Sequence, residues 1–299
     1  MKAKTTNIDY SPGMGMWKRL LILLFLFFVF LLAVGSAQGA LAFTSLSQRT
    51  QLLIGSSLQN IIAFILPAYI IARMASHRPW HYLGADRCSG KWIGEMLLIF
   101  ILITPALNQI IFYNAEIHFP ASMAEMEKVL RQWENDAAQI TNVILADSSI
   151  WGLISGVLVV GLLTGFGEEC FFRAGIQRTL SAGGMNGHAV VWITAAIFSA
   201  IHFQFFGFFP RLILGAFFGY LYLYSGSLWV SATAHALNNS IVVVTSWMAA
   251  RGIADFSPES TGVTESGFPW IALASLLLTF VAILVTRSMM KPKFIHRIR

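Results

Sequence analysis

Two adjacent carboxylates, Glu168 and Glu169, lie inside an otherwise apolar stretch of the chain. Because a charged side chain in the hydrocarbon of a membrane costs about 3 kcal/mol, such a pair marks a functional site whose partners must be found. Two histidines downstream, His202 and His235, are the candidate partners. Carboxylates and imidazoles placed together can deprotonate a water molecule, relay protons or bind a metal ion.

Composition sets the class of protein in which this chemistry takes place. The 299 residues are 56% hydrophobic and 11% charged, which is typical of a polytopic membrane protein and excludes a soluble enzyme. The net charge of +6 does not indicate nucleic-acid binding, because the basic residues fall in short loops beside apolar segments. We therefore expect membrane lipids as partners and no nucleic acid. Cys88 and Cys170 are predicted to be free thiols.

Eight apolar segments predict an all-α fold, a polytopic transmembrane helix bundle of about eight spans. The segments are Leu20–Phe43, Leu52–Ala72, Trp92–Tyr113, Ile150–Leu180, His188–Phe206, Arg211–Tyr224, Leu228–Met248 and Pro269–Met289. The first segment follows Lys18-Arg19 and resembles a signal peptide. Because a second apolar segment follows at once, a signal anchor or first span is the favoured interpretation.

The stretch Ile117–Ser149 differs from these segments, because it is acidic and amphipathic, with apolar residues at steps of three and four. Such a pattern predicts an external helix that lies on the bilayer surface or caps the bundle. A lid that gates substrate access is the alternative interpretation.

The distribution of basic residues predicts that both termini are cytoplasmic, since most lysines and arginines then lie on the inner side. Three regions follow from this order. Residues 1–149 hold three transmembrane helices and the external helix at 117–149. Residues 150–249 hold the four-helix core with the carboxylates and histidines. Residues 250–299 hold an external loop, the last transmembrane helix and a basic cytoplasmic tail.

Helix geometry predicts that the polar residues share one pocket. Glu168 and His202 each lie 17 residues from Met185, where their two helices turn, so they reach similar depth. His235 and Asn239 are four residues apart and share one helix face. Small residues on these helices predict close helix contacts: Gly152, Gly156, Gly161, Gly165, Gly215 and Gly219.

Three motifs stand in order in this region: Glu168-Glu169-x-x-x-Arg173, Phe198-x-x-x-His202 and His235-x-x-x-Asn239. They resemble the motifs of the CPBP family of intramembrane proteases, which includes the Rce1-type CAAX prenyl endopeptidases and bacterial proteins linked to bacteriocin processing and immunity. The resemblance implies an intramembrane endopeptidase in a bacterial cytoplasmic membrane. Its substrate would be a membrane-associated protein or peptide.

Peptide hydrolysis needs a base for water, an electrophilic group for the oxyanion and an acid for the leaving amine. From the residues alone, Glu168 is the candidate base and His202 orients the water. Glu169 and Arg173 form a supporting ion pair, and His235 with Asn239 polarises the scissile carbonyl. The resemblance implies the same roles and adds Phe198 as a supporting residue of the second motif.

A divalent metal, zinc by preference, would fit the same residues. His202 and His235 with Glu168 or Asn239 match a catalytic zinc site that keeps an open position, although the sequence His-Glu-x-x-His is absent. The metal-dependent and glutamate-type mechanisms both stay open.

Two other functions stay open beside the protease. One is a catalytically silent member of the family that acts in bacteriocin immunity or as a membrane scaffold. The other is a proton-coupled transporter, since buried Glu and His also mark proton relays.

Overall fold

The structure is a computed structural model, and it describes residues 14–86, 88, 90–253 and 260–286. The polar arm before residue 14, Arg87, the start of the predicted external loop at 254–259 and the basic tail from residue 287 lie outside the described residues.

The described residues fold into α-helices without β-strands, which confirms the predicted all-helical class. The helices are α1 (Met16–Leu41), α2 (Gln48–Ala75), α3 (Pro79–Leu83), α4 (Gly90–Ala115), α5 (Ala124–Leu145), α6 (Ile150–Ala182), α7 (Gly187–Ala200), α8 (Phe208–Ser225), α9 (Leu228–Ala250) and α10 (Trp270–Thr286). Each of the eight predicted apolar segments overlaps with one of these helices, but the fifth segment, predicted to run to Phe206, is helical only to Ala200. The end of the last segment lies outside the described residues.

Four of the described helices are long and apolar enough to cross a membrane: α1, α2, α4 and α6. Two others, α7 and α10, are apolar but shorter. The fold is therefore that of a membrane protein, whereas the count of eight spans and the cytoplasmic position of both termini stay predictions.

Helix α6 contains two π-helical segments, Val157–Leu163 and Cys170–Gln177, and α2 contains a third at Gln59–Ile65. A π-helical turn widens the backbone and is frequent at functional sites. The second segment in α6 begins directly after the carboxylate pair, so the residues that follow Glu169 are aimed differently from those of a regular α-helix. Hydrophobic periodicity did not predict these turns.

Helix α6 packs closely against α9, as the small residues predicted. A Cβ atom on Gly165 would lie 2.7 Å from the backbone nitrogen of Ala236, and one on Gly161 would lie 2.3 Å from the Oγ atom of Ser240. On the other side of the core, Gly215 of α8 faces Ala195 and Phe198 of α7. These contacts place α6, α7, α8 and α9 around one polar centre.

The predicted surface helix at 117–149 is present but shorter, since α5 begins at Ala124 after a 3-10 turn at Ala121–Met123. None of its residues is buried, and it packs against parts of α2, α6 and α9. Arg49 fastens this end of the bundle by donating hydrogen bonds to the carbonyl oxygens of Ile144 and Gly152. Helix α5 therefore covers one end of the bundle.

Candidate active site

Glu169 lies at the centre of the polar cluster and is fully buried. Its Oε1 atom accepts hydrogen bonds from Nη1 of Arg173 at 2.7 Å and from Nδ1 of His235 at 3.0 Å. A buried carboxylate is tolerated when it is paired and hydrogen-bonded in this way. Glu169 thus joins α6 to α9, and its contacts with Arg173 and His235 stabilise the fold.

Arg173 is also fully buried and forms the predicted ion pair with Glu169. Its Nη2 atom donates to the carbonyl oxygen of Gly215 at 2.8 Å, which ties α6 to α8. Its guanidinium carbon lies 4.8 Å from the ring centre of Phe198 and 5.5 Å from that of Phe218. Arginine suits such a site because its planar group stacks on rings while it hydrogen-bonds at its edge.

His235 lies between two aromatic rings beside the ion pair of Glu169 and Arg173. Its ring stacks on Phe218 with centres 4.8 Å apart, and it meets the edge of Phe198 at 5.8 Å. Because a carboxylate accepts, the Nδ1 atom of His235 carries the proton that is donated to Glu169. The Nε2 atom is thereby directed towards Glu168, with its Oε2 atom 3.9 Å away.

His202 lies two residues beyond the end of α7, and not on the helix as the sequence predicted. The helix ends because Phe203 adopts a left-handed backbone conformation, with φ of 53°. The Nδ1 atom of His202 donates to the carbonyl oxygen of Phe198 at 2.8 Å, which leaves Nε2 available. The rings of His202 and His235 both contact that of Phe198, and His235 approaches Glu168, so the two imidazoles and Glu168 lie near one another.

Phe198 connects these groups, as its place in the second motif suggested. It is 2% exposed, its ring contacts those of His202 and His235, and its carbonyl oxygen orients His202. The ring also covers the guanidinium of Arg173. Removing it would affect both histidines and the ion pair at once.

Asn239 lies one turn beyond His235 on α9, and its hydrogen bonds are made with groups outside the cluster of carboxylates and imidazoles. Its Nδ2 atom donates to the carbonyl oxygen of Val160 at 3.2 Å, and its Oδ1 atom accepts from Asn238 at 3.3 Å. The acceptor Val160 belongs to a π-helical segment of α6. The structure therefore brings Glu168, Glu169, Arg173, Phe198, His202 and His235 together and places Asn239 at the α6–α9 contact.

An open depression of about 460 Å³ adjoins His202 and is lined by Trp133, Asp136, His202 and Phe203. Two of these residues belong to α5, so the site borders the surface helix. Arg211, at the start of α8, interacts electrostatically with Glu168 and with Glu134 of α5. Sequence reasoning missed Arg211 and Glu134, because single charges beside apolar segments were interpreted as markers of topology.

The donor chemistry of the two histidines suits a metal, since each presents a free Nε2 atom while Nδ1 is bound to an acceptor. Among the described residues, however, no group of three or more His, Cys, Asp or Glu side chains is arranged to hold a metal ion. We therefore derive no chemical step through a metal.

The helices and the buried cluster of carboxylates, imidazoles and guanidinium define an all-helical membrane protein with a polar site of the kind that hydrolases use. Residues 150–241 match the model of the Rce1-like family, described as type II CAAX prenyl endopeptidases. The match covers every site residue from Glu168 to Asn239 and confirms the resemblance inferred from the three motifs. Comparisons with curated proteins and with solved structures found no match.

Proposed function

We propose that this protein is an intramembrane endopeptidase that hydrolyses a peptide bond of a membrane-associated protein or peptide. The observation that carries the proposal is that the two carboxylates differ in burial and in their partners. Glu169 is fully buried and bound to Arg173 and His235, whereas the side chain of Glu168 is 13% exposed and faces an imidazole nitrogen. The carboxylate that is partly exposed and makes no ion pair with Arg173 is the one left for chemistry.

In the proposed reaction, Glu168 removes a proton from a water molecule as the water oxygen bonds to the scissile carbonyl carbon. His202 orients this water through Nε2, because its Nδ1–H is committed to Phe198. The protonated Glu168 then returns the proton to the leaving amine as the C–N bond breaks. His235, when protonated, donates from Nε2 to the oxyanion, and the ion pair of Glu169 with Arg173 keeps its ring in place.

Zinc remains a proposal that metal analysis of the purified protein tests. The residues to hold it would be His202 and His235 with Glu168, whereas Asn239, the alternative ligand predicted from the sequence, donates to the carbonyl oxygen of Val160. A zinc ion held there would supply Lewis-acid chemistry for peptide hydrolysis. Stoichiometric zinc that is lost in His202→Ala would establish this version of the site.

We also propose a position in the cytoplasmic membrane with both termini on the cytoplasmic side, as the distribution of basic residues favours. For the substrate we propose only its class, a membrane-associated protein or peptide. The residues of the site would act on a peptide carbonyl and do not select a particular neighbouring side chain or lipid group.

The test is cleavage of a library of tagged single-span peptides in proteoliposomes, read by mass spectrometry. Glu168→Gln keeps the size of the side chain but removes the base, so we expect kcat to fall by about 100-fold or more. Glu116→Gln, at an exposed carboxylate beyond α4, is the matched control and should cleave as the wild type does. Undiminished cleavage by Glu168→Gln would remove Glu168 from its role. A silent family member or a transporter predicts no cleavage by either protein.

A further inference from the structure

The turn that carries His202, residues 201–207, is held in a strained conformation. Phe203 is the one non-glycine residue with positive φ among the described residues, at 53°. Such a conformation costs about 1 kcal/mol or more and persists when surrounding contacts enforce it. The contacts that hold this turn therefore decide where the imidazole of His202 lies.

One carboxylate on the surface helix α5 makes three of these contacts. The Oε1 atom of Glu134 accepts from the backbone amides of Phe206 at 2.8 Å and Gly207 at 3.2 Å. Its Oε2 atom accepts from the side-chain amide of Gln204 at 3.2 Å. Hydrogen bonds to an ionised carboxylate are stronger than those between neutral groups. Glu134 thus holds three donors of the turn at once.

Neighbouring residues before α6 complete this attachment. Asn114 donates from its side chain to the carbonyl oxygen of Phe206, and the guanidinium of Arg131 lies 4.1 Å from the ring centre of the same residue. Phe119 meets the ring of Phe205 edge-on at 5.2 Å. All three, like Glu134, lie before residue 150, whereas the family match begins there. The matched segment therefore depends on the preceding part of the chain for the position of its own turn.

We propose that Glu134 is a positioning residue for His202, and that α5 is a wall of the active site and not merely its external cover. The open depression lined by Trp133 and Asp136 of α5 and by His202 and Phe203 of the turn lies where the two segments meet. The consequence for catalysis rests on the proposed function, whereas the position of His202 can be measured without it.

The test compares Glu134→Ala with Glu125→Ala in the full-length protein in nanodiscs. Glu125 is an exposed carboxylate on the same helix and serves as the matched control. Hydrogen–deuterium exchange of the peptide covering 203–207 should accelerate by about tenfold in Glu134→Ala, as expected when hydrogen bonds to a charged acceptor are lost. Modification of His202 by diethyl pyrocarbonate should accelerate severalfold, while that of His188, at the start of α7, stays unchanged.

Glu134→Gln gives a second, milder test, because its amide keeps one acceptor oxygen in place of two. We expect changes in the same direction but smaller, and this variant decides the question if Glu134→Ala does not fold. Where peptide cleavage is measurable, kcat of Glu134→Ala should fall by about tenfold or more. The inference is overturned if exchange at the turn or the reactivity of His202 is the same in Glu134→Ala as in Glu125→Ala, or if cleavage is unaffected. A wild type that cleaves no peptide counts against the proposed function alone, since His202 reactivity still tests the inference.

Discussion

The contact between α6 and α9 gives the sharpest structural prediction, because a single methyl group would force the two helices apart. A Cβ atom on Gly165 would lie 2.7 Å from the backbone nitrogen and 2.9 Å from the Cα atom of Ala236. Ordinary van der Waals contact begins at 3.4 Å, so α9 must move by roughly 0.7 Å, and its backbone cannot rotate out of the way as a side chain does.

The displacement acts directly on the site, since Ala236 follows His235. Moving His235 away lengthens its 3.0 Å hydrogen bond to Glu169 and its 3.9 Å approach to Glu168. A shift approaching 1 Å at a reacting group can lower a rate by about 100-fold. Overpacking itself costs about 1 to 3 kcal/mol of stability. We therefore expect Gly165→Ala to lower both the thermal midpoint and the cleavage rate.

Gly94→Ala is the matched control, because Gly94 lies in α4 and a Cβ atom there would meet no atom within 4 Å. At such a position alanine favours the helix by about 1 kcal/mol, so this variant should be at least as stable as the wild type. The assay is thermal unfolding in detergent together with peptide cleavage. If Gly165→Ala behaves like Gly94→Ala in both measurements, α6 and α9 do not approach as described and the geometry argued for His235 fails.

Two further predictions concern charge. Arg173→Met should destabilise the protein by about 3 to 5 kcal/mol, because it leaves Glu169 buried without its cation. Adding Glu169→Gln to this variant should recover part of the lost stability, measured by thermal unfolding. A double variant less stable than Arg173→Met alone would contradict the pairing. Hydrogen bonds lower the pKa of Glu127 from 4.5 to about 2, and the one from the Phe119 amide has the largest effect, ahead of the one from Arg131. The stability that this carboxylate contributes is therefore complete above pH 4.5 and is lost as the pH falls towards 2. Exchange of residues 117–131, corrected for intrinsic rates, should rise across this window in the wild type and show no such rise in Glu127→Gln.

The helices were predictable because hydropathy and length are properties of the local sequence. Each apolar segment became a helix, and Pro105 illustrates why even a helix breaker did not interrupt α4. Ser275 of α10 donates to the carbonyl oxygen of Leu102 and accepts from the amide of Ala106, so a neighbouring helix satisfies the backbone beside the proline. The number of helices that cross the membrane was less predictable, because crossing also depends on how each helix packs against its neighbours and the lipid.

The turn at His202 was not predictable from local pattern. Neither glycine nor proline lies among Ile201, His202 and Phe203, so nothing in the sequence indicates that the helix ends at Ala200. The turn that follows the left-handed Phe203 is held by hydrogen bonds to Glu134, about 70 residues earlier in the chain. An amphipathic pattern shows that α5 has an apolar face, but it does not identify the segment against which its charges pack.

The two carboxylates illustrate how structure separates residues that the sequence presents as equals. Successive residues of a helix point about 100° apart, so adjacent side chains reach different surroundings even where they share a partner such as His235. Glu169 faces inward, where Arg173 and His235 bind it, and Glu168 is thereby turned towards the side that His202 approaches. An adjacent pair therefore allows one buried carboxylate to fix an imidazole while its neighbour stays partly exposed. If the roles were reversed, the base would be the carboxylate that water cannot reach, and Glu169→Gln would then stop cleavage without destabilising the fold.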